Sequence, residues 1–192
     1  MSDLQNLIDH WQAGDERAAE AIYNQYRQAT FGLAYALLDH AADAEEVTQD
    51  ALTYALTNID RYDPQRANFS TWLHTITVSR CRNKRRRRAL LTLPLIAWLK
   101  SGGDLADPTP TPEGQALWES TQDEVWAAIQ RLSQPLREAI LLRHWTDHTY
   151  QEIADILGCP MRTVQSRVRL AYKQLRTTLK STEFMIIQEE ER

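Results

Sequence analysis

The chain has 192 residues, of which 43% are hydrophobic and 25% are charged, a composition typical of a protein with one large domain or two small ones. The longest apolar stretch, residues 89–99, contains Thr92 and Pro94 and is shorter than the ~20 residues of a membrane-spanning helix, and the N-terminus lacks the pattern of a secretory signal. Cys81 and Cys159 have no CxxC spacing, which argues against disulfides and a cysteine zinc site and favours the reducing cytoplasm.

The net charge of −4 conceals a strong segregation of charge along the chain. Residues 1–79 carry 4 basic and 12 acidic side chains, residues 80–100 carry 8 basic and none acidic, and residues 101–130 carry 6 acidic and none basic. Residues 131–180 are again basic, with 9 basic and 4 acidic side chains. Two basic zones separated by an acidic spacer predict two contacts with one polyanion.

Helical spacing recurs along the first half of the chain, and no strand-like alternation stands out. Helices are predicted over residues 4–11, 16–38 and 43–59, with a fourth from about Ser70. The third is expected to open with a capping box of Asp43 and Glu46. Residues 61–68 are expected to form a loop, because Pro64 and its polar neighbours break the helical pattern.

The second half begins after a segment typical of a linker, residues 101–116, which holds three glycines and three prolines. Helices are then predicted over residues 118–132 and 136–145, and Ser133 and Pro135 are typical of a helix start. The sequence therefore predicts an all-α protein of two small helical domains. Their bounds are residues 1–90 and 118–180, joined by a flexible acidic linker (91–117) and followed by an acidic tail (181–192).

Residues 149–176 have the pattern of a helix-turn-helix. Ala154 allows two helices to cross closely, and Gly158, four residues later, permits the left-handed turn between them. Val164 and Val168 are expected to anchor the second helix. Its outward side chains suit contacts with base edges and phosphates. A helical hairpin with a solvated arginine-rich face is the alternative.

Residues 80–88 contain seven basic side chains. Alone, such a run is a solvated face or a non-specific phosphate contact. Its position after Tyr62, Asn68 and Phe69 favours the capture of unstacked single-stranded bases. Trp72 is expected in the core rather than as a platform for a base.

No motif predicts catalysis, a cofactor or a metal. The five histidines form no HExxH motif, and His144 and His148 lack further ligands around them. The acidic residues of the third predicted helix are expected to form a solvated or partner-binding face rather than a carboxylate metal site.

In this order the motifs resemble those of the extracytoplasmic-function (ECF) sigma factors, the compact two-domain members of the sigma-70 family of bacterial RNA polymerase. Residues 43–50 (DAEEVTQD) resemble the core-binding helix of that family. Residues 61–64 and 69–73, with the basic run, resemble the part that opens and reads the minus-10 promoter element. Residues 132–138, 150–154 and 163–167 resemble the domain that reads the minus-35 element. The likeness covers residues 4–88 and 118–178.

The resemblance implies a non-catalytic sigma factor that binds polymerase core and directs promoter-specific transcription initiation. The implied partners are RNA polymerase core, promoter DNA as duplex and as a single non-template strand, and an anti-sigma factor, without membrane insertion. Core binding is expected at Asp43, Glu46, Gln49, Asp50 and Tyr54. Minus-35 contacts are expected at Arg162, Thr163, Gln165, Ser166, Arg167, Arg169 and Lys173. Minus-10 contacts are expected at Asn68, Phe69, Ser79, Arg80, Arg82, Asn83 and Arg86.

Three positions depart from the family pattern. Gln165 and Leu170 stand where a basic residue is common, and Ser79 stands where an asparagine is common, so the usual promoter preference does not carry over at these positions. The alternative function is a free-standing helix-turn-helix regulator, which would bind duplex DNA tightly without polymerase. A nucleic-acid enzyme would require a metal-dependent activity that no motif indicates. The apolar residues 90–99 either pack against their own domain or dock a partner.

Overall fold

The computed structural model of the protein describes residues 3–99, 121–146 and 148–179, which form two compact units. Within these ranges all regular structure is helical, which confirms the all-α prediction. The first unit holds α1 (Asp3–Gln12), α2 (Glu16–Leu38), α3 (Ala41–Thr57), a 3-10 turn (Ile59–Arg61) and α4 (Phe69–Leu99). The second holds α5 (Thr121–Arg131), α6 (Gln134–His144), α7 (Tyr150–Leu157) and α8 (Met161–Thr178). None of the helices so described is both long and apolar enough to cross a membrane.

The core of the first unit lies where α2, α3 and α4 pack together, with α1 against α2. Ile22, Leu52 and Leu73 are fully buried there, one from each of the three long helices. Burial of such side chains stabilises the domain by roughly 1.5–3 kcal/mol each. The indole N–H of Trp11 donates a 2.9 Å hydrogen bond to the Leu56 carbonyl, which fastens α1 to the end of α3.

Aromatic residues form the part of this core that supports the start of α4. The Phe69 ring lies 4.8 Å from the Tyr26 ring and 5.3 Å from the Tyr62 ring, and Trp72 lies 5.5 Å from Tyr62. Burial raises the pKa of both Tyr26 and Tyr62 above 10.0. The charge of Tyr62 raises the pKa of Tyr26 further, and the charge of Asp63 raises the pKa of Tyr62 further. Trp72 is half-buried and packs against this core, where the sequence placed it in the core itself.

The start of α3 differs from the sequence prediction. The helix begins at Ala41, and its N-cap is His40, whose Nδ1 accepts a 3.2 Å hydrogen bond from the Asp43 backbone N–H. The predicted capping box of Asp43 and Glu46 is therefore wrong. Both carboxylates instead point to α4, where Lys84 contacts them.

The bounds of the other helices follow local chemistry. Helix α2 has the predicted bounds, and the Asp15 carboxylate accepts from the Arg17 N–H at its start. Helix α4 begins one residue before the predicted start and continues to Leu99, beyond the predicted domain boundary at residue 90. Leucine, which favours helix, makes up half of residues 90–99, whereas Pro94 among them disfavours it, so local propensity alone does not explain the extension. The acidic segment 101–116 lies outside the described residues.

The second unit contains the predicted helix-turn-helix. Thr149 and Glu152 form a reciprocal capping box at the start of α7, and Gly158 ends that helix with φ of 65°, the left-handed conformation that glycine adopts without steric cost. Val164 and Val168 are 0% and 2% exposed, which confirms them as anchors of α8. At the start of α6, Ser133 is the N-cap and Pro135 lies in the first turn, also as predicted.

Candidate nucleic-acid and polymerase interfaces

Helix α8 presents its polar residues on the side opposite its buried valines. Arg162, Gln165, Arg169 and Lys173 are exposed, whereas Thr163, Ser166 and Arg167 are half-buried. Leu170, also on this helix, is 47% exposed. All seven predicted minus-35 residues therefore lie on one helix with at least part of the side chain accessible, which is the arrangement that major-groove contact requires.

The half-buried Arg167 has a local structural contact. Its Nη1–H points to the Sγ of Cys159 at 3.5 Å, in the turn that precedes α8. Nearby histidines have structural contacts as well. His144 hydrogen-bonds the Tyr172 hydroxyl, and His148 is buried with its Nδ1 3.8 Å from a Glu152 carboxylate oxygen. These histidines connect α6, α7 and α8.

The basic run on α4 does not present all its charges to solvent. The Lys84 ammonium lies 3.3 Å from an Asp43 carboxylate oxygen and also hydrogen-bonds Glu46, and Arg88 lies 3.5 Å from Asp43. The hydrogen bond to Glu46 raises the pKa of Lys84, with a further increase from Asp43, and partial burial opposes it. At least two of the seven basic residues are thus neutralised within the domain.

This ion-pair network was not predicted, although the sequence carries a signal for it. Lys84 and Arg88 are four residues apart on α4, and Asp43 and Glu46 are three residues apart on α3, so each pair shares one helix face. Complementary faces on two helices are recognisable from spacing. Their pairing, however, depends on how α3 and α4 pack.

The predicted core-binding residues on α3 fall into two groups. Asp43 and Glu46 contact α4, whereas Gln49 and Asp50 are exposed one turn further along the helix. The Gln49 amide donates to Glu45 at 3.3 Å, and Glu45 in turn accepts a 2.9 Å hydrogen bond from Arg27 of α2. Arg27 and Glu45 line an open depression between α2 and α3.

Tyr54, the fifth predicted core-binding residue, contacts α4 as well. The guanidinium carbon of Arg80 lies 5.1 Å from the centroid of the Tyr54 ring, within the range of a cation–π interaction. The sequence assigned these two residues to different partners, and the structure brings them together.

The predicted minus-10 residues differ in exposure. Ser79 and Arg86 are exposed, and Arg86 hydrogen-bonds Asn83 at 3.1 Å. Asn68 caps α4, since its Oδ1 accepts a 2.7 Å hydrogen bond from the Thr71 N–H. Phe69 is only 2% exposed and packs in the aromatic core, so its prediction as a surface contact is corrected: it supports the start of α4 from within.

Comparison with known proteins agrees with this arrangement of two helical units. Residues 22–90 match Sigma-70 region 2, and residues 122–175 match Sigma-70, region 4. The ECF RNA polymerase sigma-E factor of Escherichia coli K12 is 31% identical over 170 residues, which cover 85% of this chain and 87% of that protein. The chain belongs to the ECF sigma factors of the sigma-70 family.

Further similarities place this sigma factor in the same group. The RNA polymerase sigma-H factor of Pseudomonas aeruginosa is 29% identical over 170 residues, 85% of this chain and 87% of that protein. The sigma factor RpoE of Bartonella quintana, solved in complex with the anti-sigma factor NepR, has a TM-score of 0.67 at 26% identity, covering 84% of this chain and 96% of that one.

Family membership defines the function of the protein. As an ECF sigma factor it binds RNA polymerase core and promoter DNA and directs promoter-specific transcription initiation. A free-standing helix-turn-helix regulator is not favoured, because residues 22–90 match a sigma region in addition to the one that contains the helix-turn-helix.

Proposed function

We propose that this sigma factor docks on polymerase core through the exposed side of α3. Gln49 and Asp50 are exposed there, while Val47, Thr48 and Ala51 of the same turns are buried. An exposed amide and carboxylate on a helix fixed by its buried face form a rigid polar surface for a partner. In this proposal Gln49 and Asp50 carry the core contact, and Asp43 and Glu46 hold α3 against α4.

The upstream promoter element is read as duplex DNA by α8. Arg162 and Gln165 lie in its first two turns, where a recognition helix contacts base edges, and Arg169 and Lys173 follow where it passes the phosphates. Thr163, Ser166 and Arg167 contribute shorter-range contacts. Arginine and glutamine favour guanine and adenine, respectively, in the major groove.

The downstream element is read as separated strands by the first half of α4. Six residues proposed to contact this element have accessible side chains on α4 or at its cap. They are Asn68, Ser79, Arg80, Arg82, Asn83 and Arg86. Phe69 is left out, because it is buried.

One observation carries the proposal. The exposed polar side of α3 and the basic surface of α4 belong to one compact unit, and the second basic surface belongs to a separate unit. A protein that only bound duplex DNA would need the second surface alone.

The core contact is tested by titrating labelled core polymerase with the full chain. The double variant Gln49→Ala with Asp50→Ala is expected to abolish detectable binding. The matched control, Gln5→Ala with Asp9→Ala, removes the same two groups from α1, where they hydrogen-bond each other at 2.9 Å. Equal core affinity of the two double variants would refute the proposed docking surface.

The promoter contact is tested with the holoenzyme by run-off transcription and footprinting. Arg162→Ala is expected to weaken binding to the upstream element by about 1–3 kcal/mol and so to lower its occupancy. Arg131→Ala on α5 is the control, since Arg131 is exposed and lies outside α8. If no promoter supports core-dependent initiation by the wild-type chain, the whole proposal fails.

We also propose that the protein acts in the cytoplasm, catalyses no reaction itself and is held inactive by an anti-sigma factor. The support for the last point is the fold shared with RpoE, which was solved bound to NepR. The test is to capture proteins that bind the wild-type chain. A captured protein that competes with core for the chain would support regulation by an anti-sigma factor. If the captured proteins bind without affecting core binding or transcription, this part is refuted.

A further inference from the structure

Tyr54 lies between two arginines that come from different elements of the first domain. Arg80 of α4 lies over its ring, with the guanidinium carbon 5.1 Å from the centroid. Arg61, at the end of the 3-10 turn, donates from Nη1 to the Tyr54 hydroxyl at 3.3 Å. One aromatic side chain of α3 therefore orients a guanidinium at its face and another at its hydroxyl.

Neither arginine is neutralised within the part of the chain that the structure describes. Arg61 and Arg80 form no ion pair with a described carboxylate, whereas Lys84 and Arg88, further along α4, are paired with Asp43. Arg61 is exposed, and Arg80 and Tyr54 are half-buried. Both guanidiniums are held at one tyrosine, and an anion that contacts both would offset the repulsion between their like charges.

We propose that Arg61 and Arg80 bind a backbone phosphate of the separated promoter strand, and that Tyr54 is the positioning residue for both. A planar guanidinium matches the geometry of a phosphate, and orientation in advance reduces the entropy lost on binding. The inference rests on the proposed function, in which Arg80 belongs to the single-strand surface of α4. Asn83, three residues beyond Arg80, continues that surface on the same side of the helix.

The inference changes the assignment of Tyr54 and adds Arg61 to the DNA surface. Tyr54 lies one helical turn beyond Asp50 and was predicted to contact core. Its ring and its hydroxyl are both engaged by arginines, so it is assigned to the DNA side of α3. In the sequence prediction Arg61 belongs to the segment that resembles the minus-10 reading part (residues 61–64), but it is not among the predicted contact residues.

The test uses holoenzyme assembled from core polymerase and the full chain, with a fluorescent single-stranded oligodeoxythymidine as probe. Affinity is measured over a range of salt concentrations. Arg61→Ala and Arg80→Ala are each expected to weaken binding roughly tenfold, and the double variant, which leaves the phosphate without a cation, is expected to reduce the salt slope by about 0.7, the value for one phosphate contact on a single strand. Arg17→Ala on α2 removes the same charge from an exposed site and is expected to change neither quantity.

Tyr54→Phe distinguishes positioning from a purely structural role. It removes the hydroxyl that Arg61 contacts and keeps the ring under Arg80. We expect it to weaken oligonucleotide binding without altering core affinity. Combined with Arg61→Ala it should add nothing further, because both changes remove the same contact.

The outcomes separate this inference from the proposed function. If wild-type holoenzyme does not bind the probe, both fail. If it does bind and Arg61→Ala behaves like Arg17→Ala, only the inference is overturned. It is overturned equally if Tyr54→Phe weakens core binding and leaves oligonucleotide binding unchanged, since Tyr54 would then belong to the core surface.

Discussion

The ion pairs of Lys84 provide a direct test of how the first domain holds α3 against α4. Lys84→Met removes the ammonium and keeps most of the aliphatic chain. In the structure the Lys84 side chain is 23% exposed and its partner Asp43 is 18% exposed, whereas Glu46 is 58% exposed. Exposed ion pairs contribute about 0.2–1 kcal/mol each. Because Asp43 is largely covered and two carboxylates share one ammonium, we expect a loss of about 1–1.5 kcal/mol.

The assay is native-state hydrogen exchange of the α3 amides in the full chain, which isolates the first domain from the unfolding of the second. Arg87→Met is the matched control, because Arg87 lies in the same basic run, is exposed and forms no ion pair in the described part of the chain. Its opening free energy should stay within about 0.5 kcal/mol of wild type. An effect of Lys84→Met no larger than that of Arg87→Met would refute the reasoning.

The same pair of proteins gives a pH dependence with a defined sign. The pKa of Lys84 is raised above 10.5 in the folded protein, mainly by its hydrogen bond to Glu46. The advantage of wild type over Lys84→Met should therefore be complete at neutral pH and be lost as the pH rises through the raised pKa. Salt should also reduce the advantage, because the pairs are partly exposed.

Three further predictions concern stability. Gly158→Ala should cost the second domain about 1–2 kcal/mol in thermal unfolding, because φ of 65° is unfavourable for alanine although its Cβ would meet no atom within 4 Å; a larger loss would indicate a clash. Thr149→Ala should cost about 1 kcal/mol by the same measurement, since it removes the hydroxyl from the capping box with Glu152; an unchanged midpoint would contradict this. Trp11→Phe should lower the opening free energy of the first domain by about 1–2 kcal/mol in hydrogen exchange, since the bond to the Leu56 carbonyl is lost; no change in α1 protection would argue against it.

The helices were predictable wherever their chemistry is local. The bounds of α2 follow from its apolar periodicity and from Asp15 at its start. The helix-turn-helix follows from the spacing of Ala154, Gly158 and Val164, each of which has a conformational or packing reason for its identity. Such features depend on residues within about two turns of each other, so a sequence alone contains them.

The predictions that were wrong concern features that depend on residues far apart in the sequence. Asp43 and Glu46 have the spacing of a capping box, but the Lys84 ammonium, 38 residues beyond Glu46, holds both carboxylates against α4 and leaves the cap to His40. Phe69 precedes a basic run, as an exposed base platform would. Its burial follows from the positions of Tyr26 and Tyr62, which only the packed domain defines.

The number of basic side chains available to DNA also depends on how the helices pack, and this gives a quantitative expectation for the salt slope. Residues 80–88 hold seven basic side chains, from which the sequence predicts a salt slope of up to about 5 for a single strand. Since Lys84 and Arg88 are paired with Asp43 and Glu46, at most five remain for DNA, and their share of the slope is at most about 3.5. Breaking the pairs with Asp43→Asn and Glu46→Gln should therefore make the slope for oligodeoxythymidine steeper. If the slope is unchanged, the released cations do not reach the strand, and the face of α4 toward α3 has a structural role only.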